Sequence, residues 1–312
     1  MNASPNYPVL VGPTAGGKTA LAVELAQQLG GEIVTADAYQ IYSDLHIGTA
    51  KPTLEERQGI PHHLIDLVDL KARFTVHDWL NLANPLIDSI RNRNTLPIVV
   101  GGTNLYIKSF LDGLFETPEP SEEIKAQVED MSQPDRRALL SRIDPDAHDR
   151  IDSADLRRTR RALEVYLQTG TPITALQQQW EHEKTSRPEA ILIGLDWPNE
   201  QINRRINQRV KIMIDEGLIE EARAIFDADG FGHQSCEAIG YKQLISHFEN
   251  RCTLDEAIER IKIDTRRFAK NQRTWMKRLR TRQNCIWIEA VDRESSDIAN
   301  EAIERFNSIN AS

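Results

Sequence analysis

The stretch Gly12-Pro13-Thr14-Ala15-Gly16-Gly17-Lys18-Thr19 constrains this chain more than any other. It matches G-x4-G-K-[ST] at every fixed position. It also lies between an apolar run, Pro8 to Val11, and a helical pattern from Lys18 to about Leu29. In that setting glycines let successive backbone N–H groups converge on an anion, and the helix N-terminus adds its dipole. Lys18 supplies a point charge, and the Thr19 hydroxyl is placed to ligate Mg2+. Residues Gly12 to Thr19 are therefore expected to bind a diphosphate. The motif does not say which one: the tail of ATP and the leaving group of another diphosphate fit equally.

Further short apolar runs follow: Gly31 to Asp37, Ile98 to Val100 before a Gly101-Gly102 turn and a helix near Thr103, Ala190 to Trp197, and Cys285 to Ala290. Short apolar strands alternating with helices predict an α/β fold, a P-loop NTPase-like parallel sheet with helices on both faces. From about Glu116 to Arg187 the pattern is helical only, opened by "TPEPSEE" and closed by "KTSRPE". The expected division is a P-loop α/β core, residues 1–115 and 190–312, ending in basic helices, plus a mainly helical insertion domain, residues 116–189. No apolar run reaches the roughly 18 residues of a membrane span, and "MNASPNYP" lacks the regions of a secretory signal. Cys236, Cys252 and Cys285 lie far apart without a CxxC, which points to free thiols in a reducing cytoplasm.

The chemistry needs more than the loop. A conventional NTPase carries a second acidic residue at a strand end, yet the strand at Ile98 to Val100 ends in glycines. The candidates are Asp37 and Asp196, and Asp37 closes the strand expected beside the P-loop strand, where open α/β sheets place their sites. His62-His63 has no carboxylate or cysteine at ligand spacing, so packing against the site loop is the expectation rather than a metal. Lys51 could face phosphate or solvent. The net charge of −9 argues against nucleic acid only as an average, because a local basic stretch exists. Ile258, Ile261, Thr265, Phe268, Gln272, Trp275 and Leu279 recur at steps of three and four, one face of a helix. Between Arg260 and Arg282 the remaining positions carry ten Lys and Arg with Asp264 the sole acid. A single-sign stripe of that kind suits a phosphate backbone.

"DAYQIYSDLHIGTAKP" (Asp37 to Pro52), "PHHLID" (Pro61 to Asp66), "GGTNLY" (Gly101 to Tyr106), "RRTRRALEVY" (Arg157 to Tyr166), "INRRINQRV" (Ile202 to Val210), "EAIGYKQL" (Glu237 to Leu244) and "AKNQRTWMKR" (Ala269 to Arg278) follow the glycine loop in order. Together the blocks resemble the tRNA dimethylallyltransferases, also called tRNA isopentenyltransferases, over nearly the whole chain. With no zinc-finger segment after Ala290, the resemblance is to the bacterial type. The sequence departs from the common pattern at Gly16 and Ala38, where serine is usual, and at Asn104, where glycine is frequent. None of these removes a charged or nucleophilic group.

The resemblance implies transfer of a dimethylallyl group from dimethylallyl diphosphate to N6 of the adenosine 3′ of the anticodon, in tRNAs reading codons that begin with U, with release of pyrophosphate. It implies Asp37 as general base, Arg209 completing a clamp with Lys18, Thr19 and Mg2+ on the leaving group, and Thr103 near the reaction centre. Expected tRNA contacts are Asp37, Ala38, Tyr39 and Gln40; Thr103; Lys125; Leu156, Arg157, Arg158, Thr159 and Arg160; Glu237, Ala238, Ile239, Gly240, Tyr241 and Lys242; and Lys270, Asn271, Gln272, Arg273, Thr274, Trp275, Met276 and Lys277. Partners would be the anticodon stem-loop and dimethylallyl diphosphate, with no membrane, and the enzyme is expected to be monomeric and cytoplasmic. Rival readings are an AMP or ADP isopentenyltransferase, a P-loop small-molecule kinase, and a nucleotide-switched RNA-binding protein.

Overall fold

In the computed structural model, which describes residues 6–114, 117–183 and 187–311, every residue of the first strand, β1 (Tyr7–Val11), is buried. A strand covered on both faces must sit inside a sheet, and five others join it: β2 (Gly31–Ala36), β3 (His62–His63), β4 (Leu96–Gly101), β5 (Ala190–Asp196) and β6 (Cys285–Glu289). All pair in parallel, in the order β3-β2-β4-β1-β5-β6. The α/β expectation therefore holds, with two corrections. The strand at His62–His63 was not foreseen, because two histidines carry no apolar pattern. The strand ending before Asp37 is not beside β1 either; β4 lies between them. The crossover through α1 (Lys18–Leu29) skips one place, and β4 fills it after α2 (Leu54–Arg57) and α3 (Val76–Asn92).

One face of the sheet is covered by α1 and the C-terminal helix (Ser295–Asn310). Leu21, Leu25 and Ala26 meet Ala299, Ala302 and Phe306 over Leu10, Ile98, Ile193 and Ile286. On the other face Trp79 of α3 is fully buried and donates its indole N–H to Thr35 O at 2.8 Å. Its ring lies 5.4 Å from Tyr106 and 5.8 Å from Phe110, on α4 (Asn104–Asp112).

The chain divides into two compact units, residues 1–111 with 187–312, and residues 112–186. The second unit contains α5 (Glu122–Asp130), α6 (Gln133–Ile143), α7 (Pro145–Arg150), α8 (Leu156–Thr169) and α9 (Ile173–Glu183). Its core is Val128, Leu140, Ala147, Ile151, Ala162 and Leu163. Buried Asp144 caps α7 through Ala147 N–H and also accepts from Thr174 N–H, both at 2.9 Å, tying two helices together. The rest of the first unit is helical: α10 (Asn199–Asp215), α11 (Leu218–Asp227), α12 (Tyr241–Phe248), α13 (Leu254–Leu279) and, after β6, α14 (Ser295–Asn310). None of the described helices is long and apolar enough to cross a membrane.

The buried stripe of α13 is Ala257, Ile261, Ala269, Gln272, Met276 and Leu279. Of the face read from the sequence, Ile261, Gln272 and Leu279 are buried, Ile258 and Trp275 only half-buried, and Phe268 is 37 % exposed. The hydrophobic pattern follows the large residues. The packing instead uses the small ones, because Ala269 lets α13 lie close against Ile202 and Ile206 of α10 and Ala15 of the glycine loop.

Candidate active site

The glycine loop joins β1 to α1 as expected. Gly17 adopts φ 86° at the helix start, and Ala15 also takes a left-handed φ, 59°. Lys18 Nζ donates to Pro13 O at 2.9 Å. At Gly16, an added Cβ would come 2.8 Å from Pro13 O and 3.2 Å from the Trp197 indole nitrogen. A glycine here lets Trp197 settle directly on the loop.

Asp37 follows β2, and its Oδ1 accepts from the N–H groups of Tyr39 (2.9 Å) and Gln40 (3.2 Å). Gln40 in turn donates to Thr49 O and Ala50 O at 3.1 and 3.2 Å. Thr103 Oγ1 accepts from Ala38 N–H at 3.1 Å. Between the glycine loop and Asp37 lies the end of β4 at Gly101, followed by Gly102. A Cβ on Gly101 would meet Ala36 O at 2.6 Å, and one on Gly102 would sit 3.7 Å from Lys18 Nζ. The glycines at the strand end where a conventional NTPase carries a carboxylate therefore leave a space between Lys18 and Asp37.

That space is a cavity of about 90 Å³, lined among others by Lys18, Thr19, Asp37, Arg209 and Gln272. It shares Asp37, Arg209 and Phe268 with an apolar cavity of about 420 Å³, walled by Ile206, Val210, Met213, Leu218 and Ile261 and reaching Thr103. Across the loop, Gly16 to Thr19, Arg205 and Arg209 border a cleft of about 590 Å³. Burial brings the Lys18 ammonium down to about 8, with repulsion from Arg209 adding to it and Asp37 opposing it. Burial likewise lowers Arg209, while Asp37 holds it up. Two cations and one carboxylate thus face one small chamber, an arrangement suited to a polyanion beside a proton acceptor. Asp196, the other acid considered, instead pairs with Arg280.

Several expected residues lie elsewhere. Lys51 does not face phosphate: it is buried, bonded to Tyr42 O at 2.6 Å and paired with Asp66 at 2.5 Å. His63 bonds Glu32 at 2.7 Å and His62 bonds Ile60 O at 2.9 Å. No metal-holding cluster of His, Cys, Asp or Glu occurs among the described residues. Of the expected RNA contacts, Thr159, Ala238, Tyr241, Gln272 and Met276 are buried; Ala238 lines the apolar cavity and Gln272 the small chamber. By contrast, Arg157, Arg158, Lys242, Lys270, Asn271, Thr274 and Lys277 are exposed. Lys242 pairs with Glu237, Lys125 with Glu122, and Arg160 with Glu129. A groove of about 780 Å³ runs along α12 and α13, bordered by Ile239, Lys242, Arg260, Arg267, Phe268 and Asn271.

Tyr241 has a different task. Its hydroxyl donates to Glu221 and accepts from Gly48 N–H at 3.0 Å, while Glu221 also accepts from Ile47 N–H at 3.2 Å. This holds the loop carrying Thr49 against the cavities. A Cβ on Gly48 would lie 2.4 Å from the Tyr241 ring. Gly48→Ala is therefore expected to lower unfolding stability by ~1–3 kcal/mol through overpacking, read as a shifted denaturant midpoint with an unchanged slope. Sequence reading missed Trp197, Arg205 and the Tyr241–Gly48 contact. Gly48 inside "LHIGTAKP" was the one local sign of a close approach.

The family model for IPP transferase matches residues 40–279. The tRNA dimethylallyltransferase of Synechococcus elongatus is 40% identical over 303 residues, covering 97% of this chain and 96% of that protein. That of Geobacillus kaustophilus is 41% identical over 305 residues, covering 96% and 95%. Among solved structures, the tRNA isopentenylpyrophosphate transferase of Bacillus halodurans is similar at TM-score 0.69 and 36% identity, with 97% of each chain covered. A eukaryotic dimethylallyltransferase acting on tRNA is similar at TM-score 0.81 and 27% identity, over 98% of this chain and 80% of that one. With its glycine loop and Asp37 inside these whole-chain matches, and the family model spanning most of the remainder, this chain belongs to the IPP transferase family.

Proposed function

We propose that this protein is a tRNA dimethylallyltransferase that moves the dimethylallyl group of dimethylallyl diphosphate to N6 of the adenosine 3′ of the anticodon, in cytoplasmic tRNAs reading codons that begin with U. The observation that carries this reading is the single chamber in which Lys18, Thr19 and Arg209 face Asp37. It adjoins an apolar cavity, where a prenyl chain and a base both find cover.

Adenine N6 is a weak nucleophile because its lone pair is delocalised into the ring. The allylic C1–O bond breaks readily once the charge growing on the diphosphate is stabilised. In the proposed step the N6–C1 bond forms as the C1–O bond breaks. Lys18, Arg209 and the loop amides hold the departing pyrophosphate, and Asp37 takes the N6 proton. The Tyr39 and Gln40 N–H bonds to Oδ1 fix that carboxylate. The Thr19 hydroxyl, at the first turn of α1 and lining the same chamber, suits Mg2+, which binds through few protein ligands plus phosphate oxygens; such an ion would neutralise diphosphate charge. Exposed Lys270, Lys277 and Arg278 on α13 make no ion pair among the described residues and would take RNA phosphates, with Arg157 and Arg158 of the helical unit doing the same.

Incubation with labelled dimethylallyl diphosphate and a mixture of tRNA, AMP and ATP is expected to label tRNA alone. Label in AMP would favour a free-nucleotide transferase, and hydrolysis of ATP without label a kinase or switch.

A pH dependence follows from Lys18. With its ammonium titrating at about 8 in the free enzyme, the charge is present below that pH and lost above it, whereas a bound diphosphate favours the charged form. The ratio kcat/KM for dimethylallyl diphosphate is therefore expected to fall as pH rises past about 8, approaching tenfold per unit. Initial rates between about pH 7 and about pH 9.5 at saturating tRNA check this; a flat profile would contradict it.

A further inference from the structure

Three side chains from the C-terminal half of the core hold three peptide groups of the glycine loop. Gln272 Oε1 accepts from Thr14 N–H at 2.8 Å, Arg205 Nε donates to Ala15 O at 2.8 Å, and Trp197 Nε1 donates to Gly16 O at 3.1 Å. Arg205 also stacks on the Trp197 ring, 4.7 Å from its centroid. The contacts have a consequence for anion binding. In a planar trans peptide the C=O and N–H point in opposite directions. With Gly16 O turned to Trp197, the N–H of Gly17 points away from Trp197. Two carbonyl oxygens that would repel a polyanion are each occupied by a donor, and Ala15 is kept in a left-handed conformation that a free loop would leave.

Gln272 does more than close the loop. It is 1% exposed, and its Nε2 donates to Gly102 O at 2.7 Å. Gly102 precedes Thr103, whose hydroxyl accepts from Ala38 N–H, next to Asp37. A single buried amide thus joins the loop that would hold the leaving group to the Gly102-Thr103 turn, whose Thr103 hydroxyl in turn holds the segment that carries the base. We propose that Gln272, assisted by Arg205 and Trp197, is a positioning clamp that fixes the glycine loop at its working distance from Asp37, and is not an RNA contact. The proposal rests on the function proposed above for the donor and acceptor sites.

Gln272→Met keeps the side-chain length and removes both hydrogen bonds. It is expected to raise the KM for dimethylallyl diphosphate and the inhibition constant of inorganic pyrophosphate about tenfold each and to lower kcat about tenfold, with the KM for tRNA within about twofold. Arg205→Met, at an exposed side chain, should move the pyrophosphate constant the same way by about threefold. A Gln272→Met enzyme with unchanged pyrophosphate inhibition, or with only the tRNA KM raised, overturns the clamp. If that variant does not fold, unchanged pyrophosphate inhibition in Arg205→Met overturns it. A wild-type enzyme that fails to prenylate tRNA would instead defeat the proposed function, while pyrophosphate binding would still test the clamp.

Discussion

Asp37→Asn is expected to lower the single-turnover rate of adenosine alkylation by ~10²–10⁴-fold while changing tRNA affinity by less than about twofold. The amide keeps an oxygen for the Tyr39 and Gln40 N–H groups that Oδ1 now bonds, so the turn after β2 survives. Only the basicity is lost, and with it the acceptor for the N6 proton. Asp37→Ala removes both, and a loss similar to that of Asp37→Asn would show that proton transfer, rather than loop geometry, is what the carboxylate contributes. Quenched-flow measurement with saturating tRNA separates the two quantities. An Asp37→Asn enzyme within about threefold of wild type would remove Asp37 from the mechanism.

The second large effect belongs to Arg209. Its guanidinium shares a chamber with Lys18 and Thr19 and is the remaining cation there, so Arg209→Gln should cost ~10²–10³-fold in kcat/KM for dimethylallyl diphosphate, as removal of a transition-state donor does. It should also leave a signature that a structural defect would not. Repulsion from Arg209 is one of the forces depressing Lys18. Without it the Lys18 ammonium persists to higher pH, and the fall in kcat/KM should begin at a higher pH than in wild type. A profile with the same midpoint would mean that the two cations do not act on one ligand.

What the sequence showed plainly is what local geometry enforces. The strand, glycine loop and helix around Lys18 are contiguous, and their chemistry needs no distant partner. Asp37 was legible because it ends an apolar strand. The neighbour of that strand was not, since strand order depends on where later helices return, and β4 inserts between β2 and β1. The face read for α13 follows its large apolar residues, whereas Ala257 and Ala269 form the packed seam and leave Phe268 facing the cavities. Gln272 lay in a stretch resembling an RNA-contacting segment, and its hydrogen-bond partners, Thr14 and Gly102, are 258 and 170 residues away. No window of sequence records such contacts.

The central claim is that the glycine loop holds a leaving pyrophosphate and not the tail of ATP. Its most direct test is the ratio of pyrophosphate released to adenosine alkylated in a single turnover with tRNA, dimethylallyl diphosphate and Mg2+, with no nucleoside triphosphate present. The account predicts full transfer at one pyrophosphate per modified adenosine, unchanged when ATP is added. Transfer that requires ATP, or orthophosphate and ADP appearing in step with product, would contradict it.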